Sequence, residues 1–189
     1  MKNKNKAAFI VGLILFLISL ALDKYSAHFV SIIKNPFFDS IFGWFTSFVN
    51  VFVILIFVTT IFLWGEKKRE WIFPLWLSFL FSIAVSFILK LIIARPRPIE
   101  LLYPVINTLN FSFPSMHAMV SFAAVPILIL EFPRLRWFWI AFAFLVAFSR
   151  IYFNYHFLSD AVFGVFFGYF IGLLIIFIEK KYRPFKFLM

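Results

Sequence analysis

Long apolar runs, each about the length of a membrane-crossing helix and separated by short basic segments, dominate this chain. A helix needs about 20 apolar residues to cross a hydrocarbon core roughly 30 Å thick, where backbone N–H and C=O groups must be paired internally. Six runs meet that need or approach it: Ala7–Leu22, Ile41–Trp64, Trp71–Ala94, Pro114–Phe132, Trp137–Tyr152 and Phe157–Ile178. With 64% hydrophobic and 14% charged residues, the 189-residue chain reads as an all-α, polytopic membrane bundle of six transmembrane helices. Residues 1–189 read as a single domain, with no low-complexity tract or long linker.

The first run follows Met1-Lys2-Asn3-Lys4-Asn5-Lys6 and has the flanks of a signal peptide, but no small-residue cleavage site follows it, so it reads as a retained anchor. His28–Phe42 mixes apolar and polar residues around Asn35-Pro36, which predicts an interfacial or re-entrant piece. His28 itself reads as an interfacial structural residue. A net charge of +10 raises the possibility of nucleic acid. The basic residues, however, lie in short segments between spans rather than on one soluble face, which is how a membrane protein marks its cytoplasmic side.

With both termini inside, Lys2, Lys4, Lys6, Lys67, Lys68, Arg69, Arg134, Arg136, Lys180, Lys181, Arg183 and Lys186 face the cytoplasm, twelve of the 18 basic residues. Lys24, Lys34, Lys90, Arg95, Arg97 and Arg150 fall outside. Trp64, Trp71, Trp137 and Trp139 fall at the inner boundaries, where interfacial tryptophans belong. Gly164, Gly168 and Gly172 form a small-residue stripe along the last span. The stripe predicts close helix packing within the chain, with a homodimer interface as the alternative.

The remaining ionisable residues gather at the outer ends of the spans. Lys90 and Arg97 end the third, Pro114-Ser115-Met116-His117 opens the fourth, Ser149-Arg150 ends the fifth, and His156 and Asp160 open the sixth. Ionisable groups in a bilayer are costly, so such a cluster marks a functional site. Arg grips phosphate oxygens through two N–H groups, and Lys acts as a point charge. Pro114 as first helical residue would leave the N–H groups of Ser115 and Met116 pointing out of a helix end that favours anions. His156 and Asp160, four residues apart, share a helix face, where a carboxylate can fix the imidazole tautomer. Asp160 is the one acid within these motifs, and Mg²⁺ or Ca²⁺ would call for two or three carboxylates, so no metal is expected. The chain has no cysteine, which removes thiolate chemistry.

Lys90 with Arg97-Pro98, Pro114-Ser115-Met116-His117, and Ser149-Arg150 with His156 and Asp160 together resemble the type 2 phosphatidic acid phosphatase superfamily, whose site the vanadium haloperoxidases share. The resemblance implies an integral membrane lipid phosphate phosphatase that needs no metal or other cofactor. It implies His156 as nucleophile forming a phosphohistidine, Asp160 as its orienting partner, and His117 as proton donor to the leaving oxygen. It also implies a phosphate clamp of Lys90, Arg97, Ser115, the Met116 N–H and Arg150. The family usually carries Gly where this chain has Met116: a helical turn there tolerates the side chain and keeps its N–H, whereas a Gly needed for room near the substrate would make Met116 narrow the pocket. The substrate would be a phospholipid or an isoprenoid lipid phosphate in the bilayer, such as phosphatidic acid or a polyprenyl diphosphate. Arg95, outside the three motifs, is the nearest candidate to contact a second phosphate. A membrane anion transporter and an inactive lipid-binding relative are the competing readings. The first expects charges spread along the bundle's depth, and the second expects a lost His or Asp.

The charge bias predicts a cytoplasmic N- and C-terminus and an extracytoplasmic site. With cysteines placed at Lys68 and Asn107 of this cysteine-free chain, an impermeant thiol reagent should label position 107 in intact cells and position 68 after permeabilisation alone. Labelling with the opposite pattern overturns the orientation.

Overall fold

A computed structural model describes residues 2–99 and 110–184, with the backbone alone for residues 2–8 and Ala27. Asn107 and Lys186 lie outside the described residues. Among those described, all regular structure is helical. α1 spans Lys2–Ile33, α2 Pro36–Thr46, α3 Phe48–Phe52 and α4 Thr59–Gly65. α5 spans Ile72–Ile93, α6 Met116–Glu131, α7 Arg136–Tyr152 and α8 Leu158–Tyr182. A π-helical turn, Val53–Val58, joins α3 and α4 into one continuous apolar rod. Five segments are long and apolar enough to cross a membrane: Phe9–Ser26, Phe48–Gly65, Arg69–Ile93, Pro133–Tyr152 and Leu158–Tyr182. The sixth expected span is the shorter α6.

The first two spans differ from their predicted bounds. α1 does not stop near Leu22 but runs to Ile33, where Asn35-Pro36 ends it, because proline excludes helical geometry from the residue before it. Asn35 is extended (φ −157°) and its side chain accepts from the Phe38 N–H at 3.1 Å, capping α2. The segment expected to be interfacial is therefore divided between the end of α1 and α2, and α2 stops at a break at Ser47, which caps α3 in turn. α2 packs on α7: the Phe42 ring lies 4.7 Å from that of Tyr152, whose hydroxyl donates to Asp39 at 2.9 Å. Two of the expected belt tryptophans also change role. Trp64 and Trp137 are exposed, but Trp71 and Trp139 are buried in the core.

α6 is the hub, packed between α5, α7 and α8 and buried along most of its length. Its short length reflects this: it is enclosed by protein rather than lipid. The outward faces of the surrounding helices carry large exposed apolar side chains, among them Phe9, Leu17, Phe57, Ile61, Leu80 and Ile92. Apolar area gives no driving force between helices in lipid, so association depends on close van der Waals packing. The glycine stripe supplies it. A Cβ at Gly164 would sit 2.8 Å from the Ser115 carbonyl oxygen, at Gly168 2.1 Å from that of Met119, and at Gly172 2.3 Å from that of Ala123. The stripe thus seats α8 directly on the backbone of α6, and the face that suggested a dimer is consumed within the chain.

Gly168→Ala forces a methyl into the Met119 carbonyl, and overpacking of this kind costs ~1–3 kcal/mol. Gly43, inside α2, has nothing within 4 Å of its would-be Cβ, so Gly43→Ala should be neutral or stabilising by up to ~1 kcal/mol. Thermal melts in detergent should show a lower Tm for the first variant and an equal or higher Tm for the second.

Candidate active site

The antiparallel order of α5 to α8 brings four helix ends to one end of the bundle. α5 ends at Ala94, whose left-handed backbone (φ 47°) turns the chain so that Arg95 and Arg97 fold back over the helix end. Lys90 is buried on the last turn of α5, and its ammonium donates to the carbonyls of Phe111 (2.5 Å) and Ser112 (3.3 Å). Arg97 donates to the carbonyls of Asn110 (3.2 Å) and Tyr155 (2.7 Å). Arg150, buried on the last turn of α7, donates to the Thr46 carbonyl at 2.9 Å and also to its hydroxyl, with its guanidinium over the Tyr155 ring. These acceptors are neutral oxygens, which orient the cations without cancelling their charge.

α6 begins two residues later than expected. Pro114 follows a cis peptide bond and stands before the helix, Ser115 takes the N-cap position (ψ 106°), and Met116 is the first helical residue. The Ser115 N–H is not free for an anion, because it donates to the Asp160 carbonyl at 3.1 Å and ties the start of α6 to the start of α8. Its hydroxyl is buried without a partner. Met116 keeps negative φ, as the helix requires, so its side chain is tolerated there. His117 stands edge-on to Phe48, with ring centroids 5.4 Å apart, and its Nε2 is buried and unpartnered.

His156 sits in the turn between α7 and α8. The N–H groups of Tyr155 and His156 both donate to the Arg150 carbonyl, at 3.0 and 3.2 Å, and Asn154 supplies the left-handed residue (φ 55°) that lets the chain reverse. The imidazole Nε2 lies 3.3 Å from Arg97 Nη1. Nδ1 faces Asp160 Oδ2 at 3.6 Å, just beyond hydrogen-bond reach. The same carboxylate oxygen accepts the Phe157 N–H at 2.9 Å, closing the first turn of α8. Burial pushes the His156 pKa well below the ordinary histidine value, and the charges of Lys90, Arg150 and Arg97 push the same way. Both effects favour the neutral imidazole.

One cavity of about 300 Å³ gathers Lys90, Arg97, Met116, His117, Arg150 and His156, with Phe48 as an additional wall. Ser115 and Asp160 lie directly behind it. Three cations and two imidazoles around a space of this size suit a tetrahedral anion. Among the described residues, no three His, Cys, Asp or Glu side chains converge in a way that could hold a metal ion.

Residues 71–183 match the PAP2 superfamily. The chain belongs to that superfamily. A PAP2-type phosphatidylglycerolphosphate phosphatase from Bacillus subtilis shares the fold with a TM-score of 0.70, at 21% identity, over 94% of this chain and 98% of that one. Aquifex aeolicus LpxE superposes with a TM-score of 0.66, at 26% identity, over 82% of this chain and 94% of its own. An undecaprenyl-diphosphatase of Sulfolobus acidocaldarius is 29% identical over 130 residues, 65% of this chain. The chain spans 62% of that relative's length. Together with its apolar helices, this kinship makes the PAP2 chain an integral membrane protein.

Arg95, the candidate for a second phosphate, is not among the residues that line the cavity. Instead of facing the cavity, its guanidinium is gripped by Asp160 and Asp23, each at 2.7 Å, and stacks on the Phe157 ring. Sequence reasoning missed Asp23, which closes an apolar run beside Lys24 and resembles an ordinary span end. It missed Thr46 and Phe48 for the same reason, since neither belongs to a charged motif.

The neutral state of His156 is directly measurable. In a histidine-labelled NMR titration, with assignment by His156→Gln, its imidazole resonance should stay unmoved as pH falls through 6.5, the ordinary histidine value. A midpoint at that value overturns the burial argument.

Proposed function

We propose that this PAP2 protein is a lipid phosphate phosphatase, which removes a terminal phosphate from a lipid phosphate or polyprenyl diphosphate through a phosphohistidine. The observation that carries this reading is the single cavity lined by His117, His156 and three cations, with Asp160 behind His156. The undecaprenyl-diphosphatase among its relatives supports the lipid class of substrate. The clustering of charge at one end of the bundle favours an enzyme over an anion transporter, whose charges would extend through the depth of the membrane.

In this reading Lys90, Arg97 and Arg150 hold the non-bridging phosphate oxygens, assisted by the Ser115 hydroxyl and the Met116 N–H. These groups neutralise charge that develops on the phosphoryl group in flight. His156 Nε2 attacks phosphorus. The proton on Nδ1 is held by Asp160, which stabilises the imidazolium as the bond forms. His117 gives its proton to the departing lipid oxygen. It then takes one from water as that water attacks the phosphohistidine, restoring His156 and releasing inorganic phosphate. No step requires a metal ion. Six spans with both termini cytoplasmic would open the cavity to the extracytoplasmic leaflet, within reach of a head group whose tail stays among the Phe-rich helices. Met116 on the cavity wall restricts the group beside the phosphate.

Phosphate release by the purified protein from phosphatidic acid, phosphatidylglycerophosphate and a polyprenyl diphosphate tests this. His156→Ala should abolish turnover, and His117→Ala should lower it by ~10²–10⁴. Orthovanadate should inhibit. Activity should survive exhaustive EDTA treatment; a requirement for added Mg²⁺ would falsify the metal-free mechanism.

A further inference from the structure

The Arg95 contacts form a closed ring in which Asp160 alone takes part in the reaction described above. Arg95 Nη1 donates to Asp160 Oδ1 and to the Ser159 hydroxyl, both at 2.7 Å. Its Nη2 donates to Asp23 Oδ2 at 2.7 Å. The Ser159 hydroxyl donates to the same Asp23 oxygen at 2.6 Å, and the Ser159 N–H donates to Asp23 Oδ1 at 2.8 Å. Asp23, Ser159 and Asp160 are all buried. Asp23 stands on α1, outside residues 71–183 that match the superfamily, whereas every other member of the ring lies within them.

The ring fixes a carboxylate that would otherwise have two ways to turn. Asp160 Oδ1 accepts from Arg95 and Oδ2 from the Phe157 N–H, and the carboxylate held in this way presents Oδ2 3.6 Å from His156 Nδ1. An isolated arginine on Asp160 would compete with the imidazole for that carboxylate's charge. Asp23 shares the guanidinium and offsets this competition, while also accepting an N–H in the first turn of α8, where a negative charge is favourable. We propose that Asp23 and Arg95 are positioning residues for Asp160, so that a carboxylate on α1 belongs to the apparatus that orients His156. This rests on the phosphohistidine reading above.

The test is a double-mutant cycle on the full chain in detergent, with phosphatidic acid and a prenyl diphosphate as probes. Arg95→Ala and Asp23→Asn should each lower kcat by ~10–100-fold on both lipids, since each removes a charge-assisted contact. KM should change by less than about twofold, because neither side chain touches substrate. Against Asp160→Asn the same substitutions should cost less than about threefold more, because they act through the group already lost. Arg95→Lys should recover part of the loss, and it carries the test if Asp23→Asn does not fold. Unchanged orthovanadate inhibition checks that the cavity is intact. Full additivity with Asp160→Asn makes the ring a structural strut and overturns the inference, as does a rise in KM or a loss confined to the diphosphate. A wild-type chain that releases no phosphate from either lipid overturns the phosphatase reading and this inference together; an active wild type with additive losses overturns this inference alone.

Discussion

The close seating of α8 on α6 is the contact on which the site depends. In lipid, helices gain little from apolar burial, and their geometry follows from how near their backbones approach. Gly164 lies one turn below Asp160 and faces the Ser115 carbonyl, so the first glycine of the stripe sets the separation of the two helix starts. The Ser115 N–H bond to the Asp160 carbonyl then fixes their register. His117 and His156 line the same cavity because of that approach. A side chain at position 164 would push apart the two helix starts and, in the proposed mechanism, groups that act on one phosphorus atom, where an error of about 1 Å costs large factors in rate.

Three like charges converge on that cavity in surroundings of low dielectric, an arrangement that repels itself when empty. It is held together by the acceptors around it. Lys90, Arg97 and Arg150 are drawn to carbonyls at positions 46, 110, 111, 112 and 155, groups of the turns between helices whose backbone oxygens need donors in any case. The turns are ordered by the cations and the cations by the turns. The same cations, with burial, push the His156 pKa below the ordinary histidine value, so the field that would attract a phosphate also favours a neutral imidazole.

Arg95 shows how a cation two residues from the clamp acquires a different task. Part-buried itself, it stands between two buried carboxylates, one on α1 and one on α8, and its removal would leave both without their cation. α1, which the sequence presents as a plain anchor, is thereby tied through Asp23 to Arg95 and to the first turn of α8.

Much of this was legible in the chain. Run length and composition determine an all-helical membrane bundle, because backbone pairing in hydrocarbon leaves few alternatives. The spacing of Lys90, Arg97, His117, Arg150, His156 and Asp160 places them at one end, because alternate spans run in opposite directions. The glycine stripe likewise announced close packing. The tertiary structure alone decided which helix the stripe meets, that the Ser115 N–H is spent on Asp160, and that Trp71 and Trp139 are core rather than belt. It also decided that Arg95 turns from the cavity toward Asp23. The reason is separation: Asp23 and Arg95 are 72 residues apart in sequence. No local pattern of charge or period encodes which of several nearby carboxylates a guanidinium meets once the helices have packed.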